Sequence, residues 1–131
     1  GGVSLHKYTK YHTLKMRSNK LDIKSWKTHV RKLFKQICLY VNWMHSNNVC
    51  HLDISLENCL IQKNIIHFCD FGVAEMFPNS DDKCCKYVGK TGYQSPEVYN
   101  KKNYDPKKAD VWNLGVLLFI MHTGSKLYQK P

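Results

Sequence analysis

Two carboxylates and one amide, at Asp53, Asp70 and Asn58, are the groups in this chain best spaced to do chemistry together. Asp53 and Asn58 lie in the run His51-Leu52-Asp53-Ile54-Ser55-Leu56-Glu57-Asn58, and Asp70-Phe71-Gly72 begins twelve residues after Asn58. Carboxylate and amide oxygens are hard ligands of the kind Mg²⁺ takes. A second carboxylate beside them can orient a hydroxyl and accept its proton. The set suits a site that holds Mg²⁺ and a nucleotide phosphate and aims a hydroxyl at it. The plainer explanation for each residue is turn chemistry, because Asp and Asn favour loops for local hydrogen bonds; the shared order and spacing favour the site.

For these groups to meet, the chain between them must double back. Cys59-Leu60-Ile61-Gln62 and Ile65-Ile66-His67-Phe68-Cys69 read as two strands joined by a Lys63-Asn64 turn, in which Asn accepts positive φ. Such a hairpin puts Asn58 at its entry and Asp70 at its exit, side by side. Upstream, Ile23, Trp26, Val30, Leu33, Phe34, Ile37, Val41 and Met44 recur at helical steps. That helix should start at the N-cap Asp22, run to about Ser46 and end at Asn47-Asn48. Downstream, residues 73–97 lack a long period, and a loop of that length is usually functional. Asp105-Pro106 then reads as an N-cap with proline at the first helical position. The helix after it, about Lys107 to Thr123, is apolar on nearly all sides and is expected to be a buried scaffold capped by Gly124. Residues 1–21 are weakly signalled: a Gly-Gly turn, a short piece with Leu5 and Tyr8, then a basic connector.

With 131 residues and 43% hydrophobic content the chain is one globular domain or part of one. Its longest apolar run, Leu114 to Met121, is too short to span a bilayer. No signal peptide opens it; it begins at Gly1-Gly2 without an initiator Met, as a fragment would. The net charge of +10 is concentrated in residues 1–35, where ten Lys and Arg stand against the one acid Asp22. A basic module for nucleic acid or anionic membrane is one reading. A solvated lysine face is the other, and it is preferred because no aromatic residues interleave as a base-stacking platform. Nucleic acid is therefore not an expected partner. The six cysteines form no C-x-x-C, and no Cys/His spacing suits zinc. Cys84-Cys85 reads as part of a polar loop. Reduced thiols fit a cytoplasmic setting.

Four landmarks together resemble the protein kinase catalytic domain: His51-Leu52-Asp53 through Asn58, Asp70-Phe71-Gly72, Ser95-Pro96-Glu97, and Asp110-Val111-Trp112-Asn113-Leu114-Gly115. The resemblance implies an α+β fold, a partial kinase-like large lobe that is mainly helical with a small hairpin beside the catalytic loop. Residues 1–131 would run from just after the hinge to the central buried helix, with the small lobe and the last large-lobe helices absent. It implies Asp53 as the residue that orients the substrate hydroxyl, with Asn58 and Asp70 as Mg²⁺ ligands bridging to ATP. Leu60 would form the floor under the adenine. His51 and Phe71 would stack in a hydrophobic spine, and Asp110 would bond the catalytic-loop backbone from below. The expected reaction moves the ATP γ-phosphoryl group to a Ser or Thr hydroxyl of a protein substrate.

The departures are as informative. Leu52 stands where the family usually has Arg, which puts control by activation-loop phosphorylation in doubt. Ser55 replaces a lysine that touches the transferring phosphate, so some transition-state stabilisation must come from elsewhere. Gly89-Lys90 replaces a Gly-Thr pair. No glycine-rich loop, strand Lys or partner Glu occurs, so the fragment alone is expected to be inactive. Within the family, the His-Leu-Asp-Ile-Ser loop and the Gly-Lys pair are most similar to the FIKK group of apicomplexan parasites. A kinase-shaped docking module without phosphotransfer is the main rival, although Asp53, Asn58 and Asp70 are all retained.

Overall fold

The computed structural model describes residues 1–128; the last three residues of the expected 1–131 unit lie outside the described residues. The elements are β1 (Val3–Ser4), α1 (Leu5–Arg17), α2 (Ile23–Ser46), β2 (Val49–Cys50), β3 (Cys59–Gln62), β4 (Ile65–Phe68), β5 (Glu75–Met76), α3 (Pro96–Tyr99) and α4 (Pro106–Thr123). Helix dominates and the strands are short and antiparallel, which is the α+β class expected.

Helix α2 forms as its periodicity predicts. Asp22 accepts the Ser25 N–H at 2.9 Å, satisfying one of the orphan donors of the first turn. Trp26, Val30, Leu33, Ile37, Val41 and Met44 make one buried stripe. The chain leaves through Asn48 at φ +60, a conformation that asparagine tolerates. Helix α4 opens with Asp105 accepting the Lys107 and Lys108 N–H groups, has Pro106 in its first turn, and closes at Gly124 with φ +69.

Three expectations need correcting, the third at Cys84 below. The basic connector of residues 1–21 contains a 13-residue helix, α1, capped by Ser4. It was obscured because its buried stripe is Leu5, Thr9 and Thr13, a mostly polar set that carries little hydrophobic period. Helix α4 is also not enclosed all round: it packs on α2 and β2, while Val111 is 58% and Phe119 38% exposed. The described elements cover one face of it only.

The sheet order is β1-β3-β4, with Ser4 opposite Leu60 and Cys59 opposite Phe68. Lys63 and Asn64 turn the β3–β4 hairpin at φ +49 and +63, the left-handed pair that a two-residue link requires. A second pair, β2 with β5, ties Val49-Cys50 to Glu75-Met76. The main core joins α1, α2, α4 and the hairpin. A smaller core gathers Cys50, Leu52, Phe77, Cys84, Val98, Tyr104 and Ala109. Cys84 is therefore buried, not part of a wholly polar loop; it pairs with Tyr104 through backbone hydrogen bonds of 2.9 and 3.0 Å, while Cys85 is exposed.

Candidate active site

The loop from His51 to Asn58 hangs from one carboxylate. Asp110 in α4 is fully buried, and it accepts the Leu52 N–H at 2.8 Å and the His51 N–H at 3.0 Å. His45, near the end of α2, adds a third contact at 2.8 Å through Nε2. These bonds hold Leu52 at φ +65. That conformation costs a non-glycine residue on the order of 1–3 kcal/mol and persists only where its surroundings over-determine it. Leu52 is buried in the smaller core, so packing and hydrogen bonds act together.

The strained turn delivers Asp53 to Asn58. The Asp53 N–H donates to His51 Nδ1 at 3.2 Å, and His51 Nε2 lies 3.2 Å from the Cys69 carbonyl. A ring that accepts at Nδ1 and donates at Nε2 is the neutral imidazole with its proton on Nε2. His51 also sits 5.0 Å from the Phe71 ring and 5.6 Å from the Phe68 ring, centroid to centroid. Asn58 donates through Nδ2 to the Asp53 carbonyl at 2.8 Å and to Asp53 Oδ2 at 2.9 Å. Its amide oxygen is thus the atom left to offer a cation. Asp53 Oδ1 is buried and has no hydrogen-bond partner among the described residues.

Asp70 arrives from the other side of the hairpin. The Cys69 N–H donates to the Asn58 carbonyl at 2.9 Å, so Asp70 emerges one residue past Asn58's strand partner. Asp70 is exposed at φ +57, and Oδ1 accepts a long 3.4 Å bond from the Gly72 N–H. Its carboxylate is otherwise uncommitted among the described hydrogen bonds. Leu60 is half-buried on β3, on the face opposite the core-facing Cys59 and Ile61, with His67 as its cross-strand neighbour. Asp53 and Asn58 are in direct contact, Asp70 stands at the same end of the hairpin, and Leu60 lies on its outer face.

This donor set fits Mg²⁺ and a nucleotide phosphate on two observations. Asn58 and Asp70 present hard oxygens with little else to bond, and Asp53 keeps one buried oxygen unpartnered. The triad His45, Cys50 and Asp110 also lies within 4.8 Å. Asp110 is spent there on backbone groups, and burial pushes the Cys50 thiol up to about 12, so its thiolate is not available as a ligand near neutrality.

Some supports were not legible in the sequence. The Tyr93 hydroxyl accepts the Leu56 N–H at 3.2 Å, and burial raises the pKa of that phenol. The His6 N–H donates to the Leu56 carbonyl at 3.1 Å, fastening α1 to the same loop. Glu57 pairs with Lys90 at 3.2 Å and with His6 at 3.5 Å. Burial alone would raise the Glu57 pKa, but its own backbone hydrogen bond and the charges of Lys90 and His6 bring it below the ordinary value. All these partners are distant in sequence and none has a local signature; His45, six residues ahead of His51, differs only in lying on the helix face beside the core stripe.

A family model described as the protein kinase domain matches residues 3–131. The chain is 38% identical over 105 residues to the serine/threonine-protein kinase SAPK1 of Oryza sativa subsp. japonica, covering 77% of this chain and 30% of that protein. It is 37% identical over 105 residues to an abscisic acid-inducible protein kinase of Triticum aestivum, covering 77% of this chain and 31% of that protein. It is 38% identical over 105 residues to the serine/threonine-protein kinase SRK2A of Physcomitrium patens, again covering 77% and 30%. The chain thus spans about 30% of the length of these curated relatives.

Proposed function

Because this chain belongs to the protein kinase domain family, matched over residues 3–131, we propose that it carries the catalytic loop and metal ligands of a kinase that phosphorylates protein Ser or Thr hydroxyls. The family uses ATP and Mg²⁺ in general. The whole protein's phosphotransfer is assigned to this chain together with the rest of the domain that its relatives possess, with residues 1–131 as the part from the hinge to the central helix.

One observation carries the reading: Asp53 is clamped by Asn58 through one oxygen and its carbonyl, and keeps the other oxygen buried and free. That free oxygen orients the substrate hydroxyl and accepts its proton, and the clamp fixes its direction. Proximity and orientation of this kind are the main contributions a protein makes to phosphoryl transfer. Asn58 and Asp70 would hold Mg²⁺, which when bound neutralises the phosphate charge. Leu60 would lie under the adenine. The Ser/Thr preference is supported by the printed names of the rice and moss relatives. The finer likeness to the FIKK group rests on the loop and the Gly-Lys pair alone.

The test is transfer of labelled γ-phosphate to a Ser/Thr peptide library by the full-length protein and its Asp53→Asn variant. The rate falls by about 10²- to 10⁴-fold, in the range of a lost general base, while Mg-ATP binding is kept. An unchanged rate in the variant removes the catalytic assignment. Mg-ATP binding without transfer by the wild type supports the docking-module reading instead.

A further inference from the structure

We propose that Lys90 supplies the phosphate-facing cation that the catalytic loop of this protein lacks. The inference rests on the kinase reading and deepens it. Phosphoryl transfer spreads negative charge over the oxygens of the moving group, and a positioned cation lowers its barrier. The loop around Asp53 carries carboxylates at 53, 57 and 70 and no lysine or arginine; the one lysine between residues 49 and 72 is Lys63. Lys63 sits in the hairpin turn, at the far end of β3 from Asn58, roughly 15 Å along the strand. Ser55, two residues past Asp53, is fully buried with its hydroxyl unpartnered and carries no charge.

Lys90 approaches from the other side of the loop. Gly89, at φ +94, lies so close to the catalytic-loop backbone that an added Cβ would stand 3.0 Å from the Leu52 carbonyl oxygen. Glycine at 89 therefore serves close approach as well as conformation. The Lys90 carbonyl accepts the Tyr93 N–H at 3.0 Å, and Tyr93 in turn accepts the Leu56 N–H. Gln94 donates to the Val88 carbonyl at 3.0 Å, closing the turn behind it. The backbone of Lys90 is thus pinned against residues 52 and 56, and its Nζ rests 3.2 Å from Glu57, next to Asn58. Both side chains are more than a third exposed, and the pair is a charge contact at the buried Glu57 Oε2 without hydrogen-bond geometry, weak enough to exchange for a phosphate. His6, 3.5 Å from the other Glu57 oxygen, remains as a partner when Lys90 turns away. Lysine's flexible stem and compact charge suit that movement. In effect the positive charge absent at 55 returns at 90.

Two measurements on the full-length protein test this. In the first, an acyl-phosphate derivative of ATP is added with Mg²⁺ and the acylated lysines are mapped by mass spectrometry. The Lys90 amine takes the acyl group, ATP leaves, and excess Mg-ATP suppresses the reaction. In the second, Lys90→Ala lowers kcat by about 10²-fold, as for loss of one transition-state donor, with KM for ATP little changed. Lys90→Arg, which keeps the charge, retains most of the rate, whereas Glu57→Gln alone falls far less than Lys90→Ala. Wild-type transfer with no acylation at Lys90, and a full rate for Lys90→Ala, overturns the inference and leaves the kinase reading intact. So does a loss in Lys90→Ala that Glu57→Gln matches, since Lys90 is then only a strut. Acylation of Lys90 in a protein that transfers nothing defeats the kinase reading and upholds the position of Lys90. Neither transfer nor acylation defeats both.

Discussion

At the residue scale, Leu52 separates what the sequence showed from what it hid. The substitution of an expected Arg was legible, but its consequence was not. The side chain turns into an apolar cluster with Phe77 and Cys84 and is flanked by Val73 and Val88, all from the segment after Asp70. That segment is therefore held to Leu52 by burial, where an Arg would have offered a charge. Removing phosphate around Ser80, Tyr87 and Thr91 is expected to leave the rate of the full-length protein within about twofold, a prediction of packing-based ordering; phosphatase treatment followed by a rate measurement checks it. Leu52→Arg buries an unpaired charge and should destabilise the fold by about 3 kcal/mol or more, read from the urea midpoint. The direct contact of Asn58 with Asp53, by contrast, is a finding of the structure: the sequence reading brought Asn58 beside Asp70 and gave no bond between Asn58 and Asp53.

At the scale of elements, periodicity and caps were enough for α2, the β3–β4 hairpin and α4, because Asp22, Lys63-Asn64, Asp105-Pro106 and Gly124 are each local signals. They failed for α1, whose inner face is threonine. That helix is held to α2 by an aromatic layer: His12 stacks on Trp26 at 4.9 Å, and the Tyr8 hydroxyl meets His29 Nε2 at 2.8 Å. Burial, then the nearby His12 and Lys32, lower the His29 pKa below its ordinary 6.5. A folded-state pKa below the unfolded one means that the fold binds its proton less readily. The contribution is therefore complete above about pH 6.5 and is lost as pH falls through the lowered value. Protection factors of the α1 amides, exchange rates taken relative to the intrinsic rate at each pH, should fall on acidification through that window, and a His29→Gln variant should show a smaller change. Helix α1 also meets the end of α4, where a Cβ on Gly124 would overlap the Thr13 side chain at φ +69. Gly124→Ala should cost more than about 1 kcal/mol, combining the conformational penalty with the clash, as a lower melting temperature would show.

At the scale of the molecule, the fold is a set of struts that converge on one loop. Asp110 from α4, His45 from α2, Tyr93 from the long segment and His6 from α1 each bond the stretch 51–58 or its anchor. The Asp110 bonds were expected from the resemblance, whereas those of His45, Tyr93 and His6 were invisible to local pattern. What could be read in advance was the order of the chemistry-bearing residues and the hairpin that returns Asp70 to Asn58. The +10 charge is weighted toward residues 1–35, and no described helix is long and apolar enough to cross a membrane. Convergence is the claim on which the rest depends, and it is tested most directly by following Mn²⁺, in place of Mg²⁺, with ATP by electron paramagnetic resonance in the full-length protein. Asp70→Asn and Asn58→Ala should each weaken binding of the metal–nucleotide pair by about tenfold or more, the scale of a lost charge-assisted contact, while Glu97→Gln should not. Metal–ATP affinity unchanged in both site variants would contradict the account.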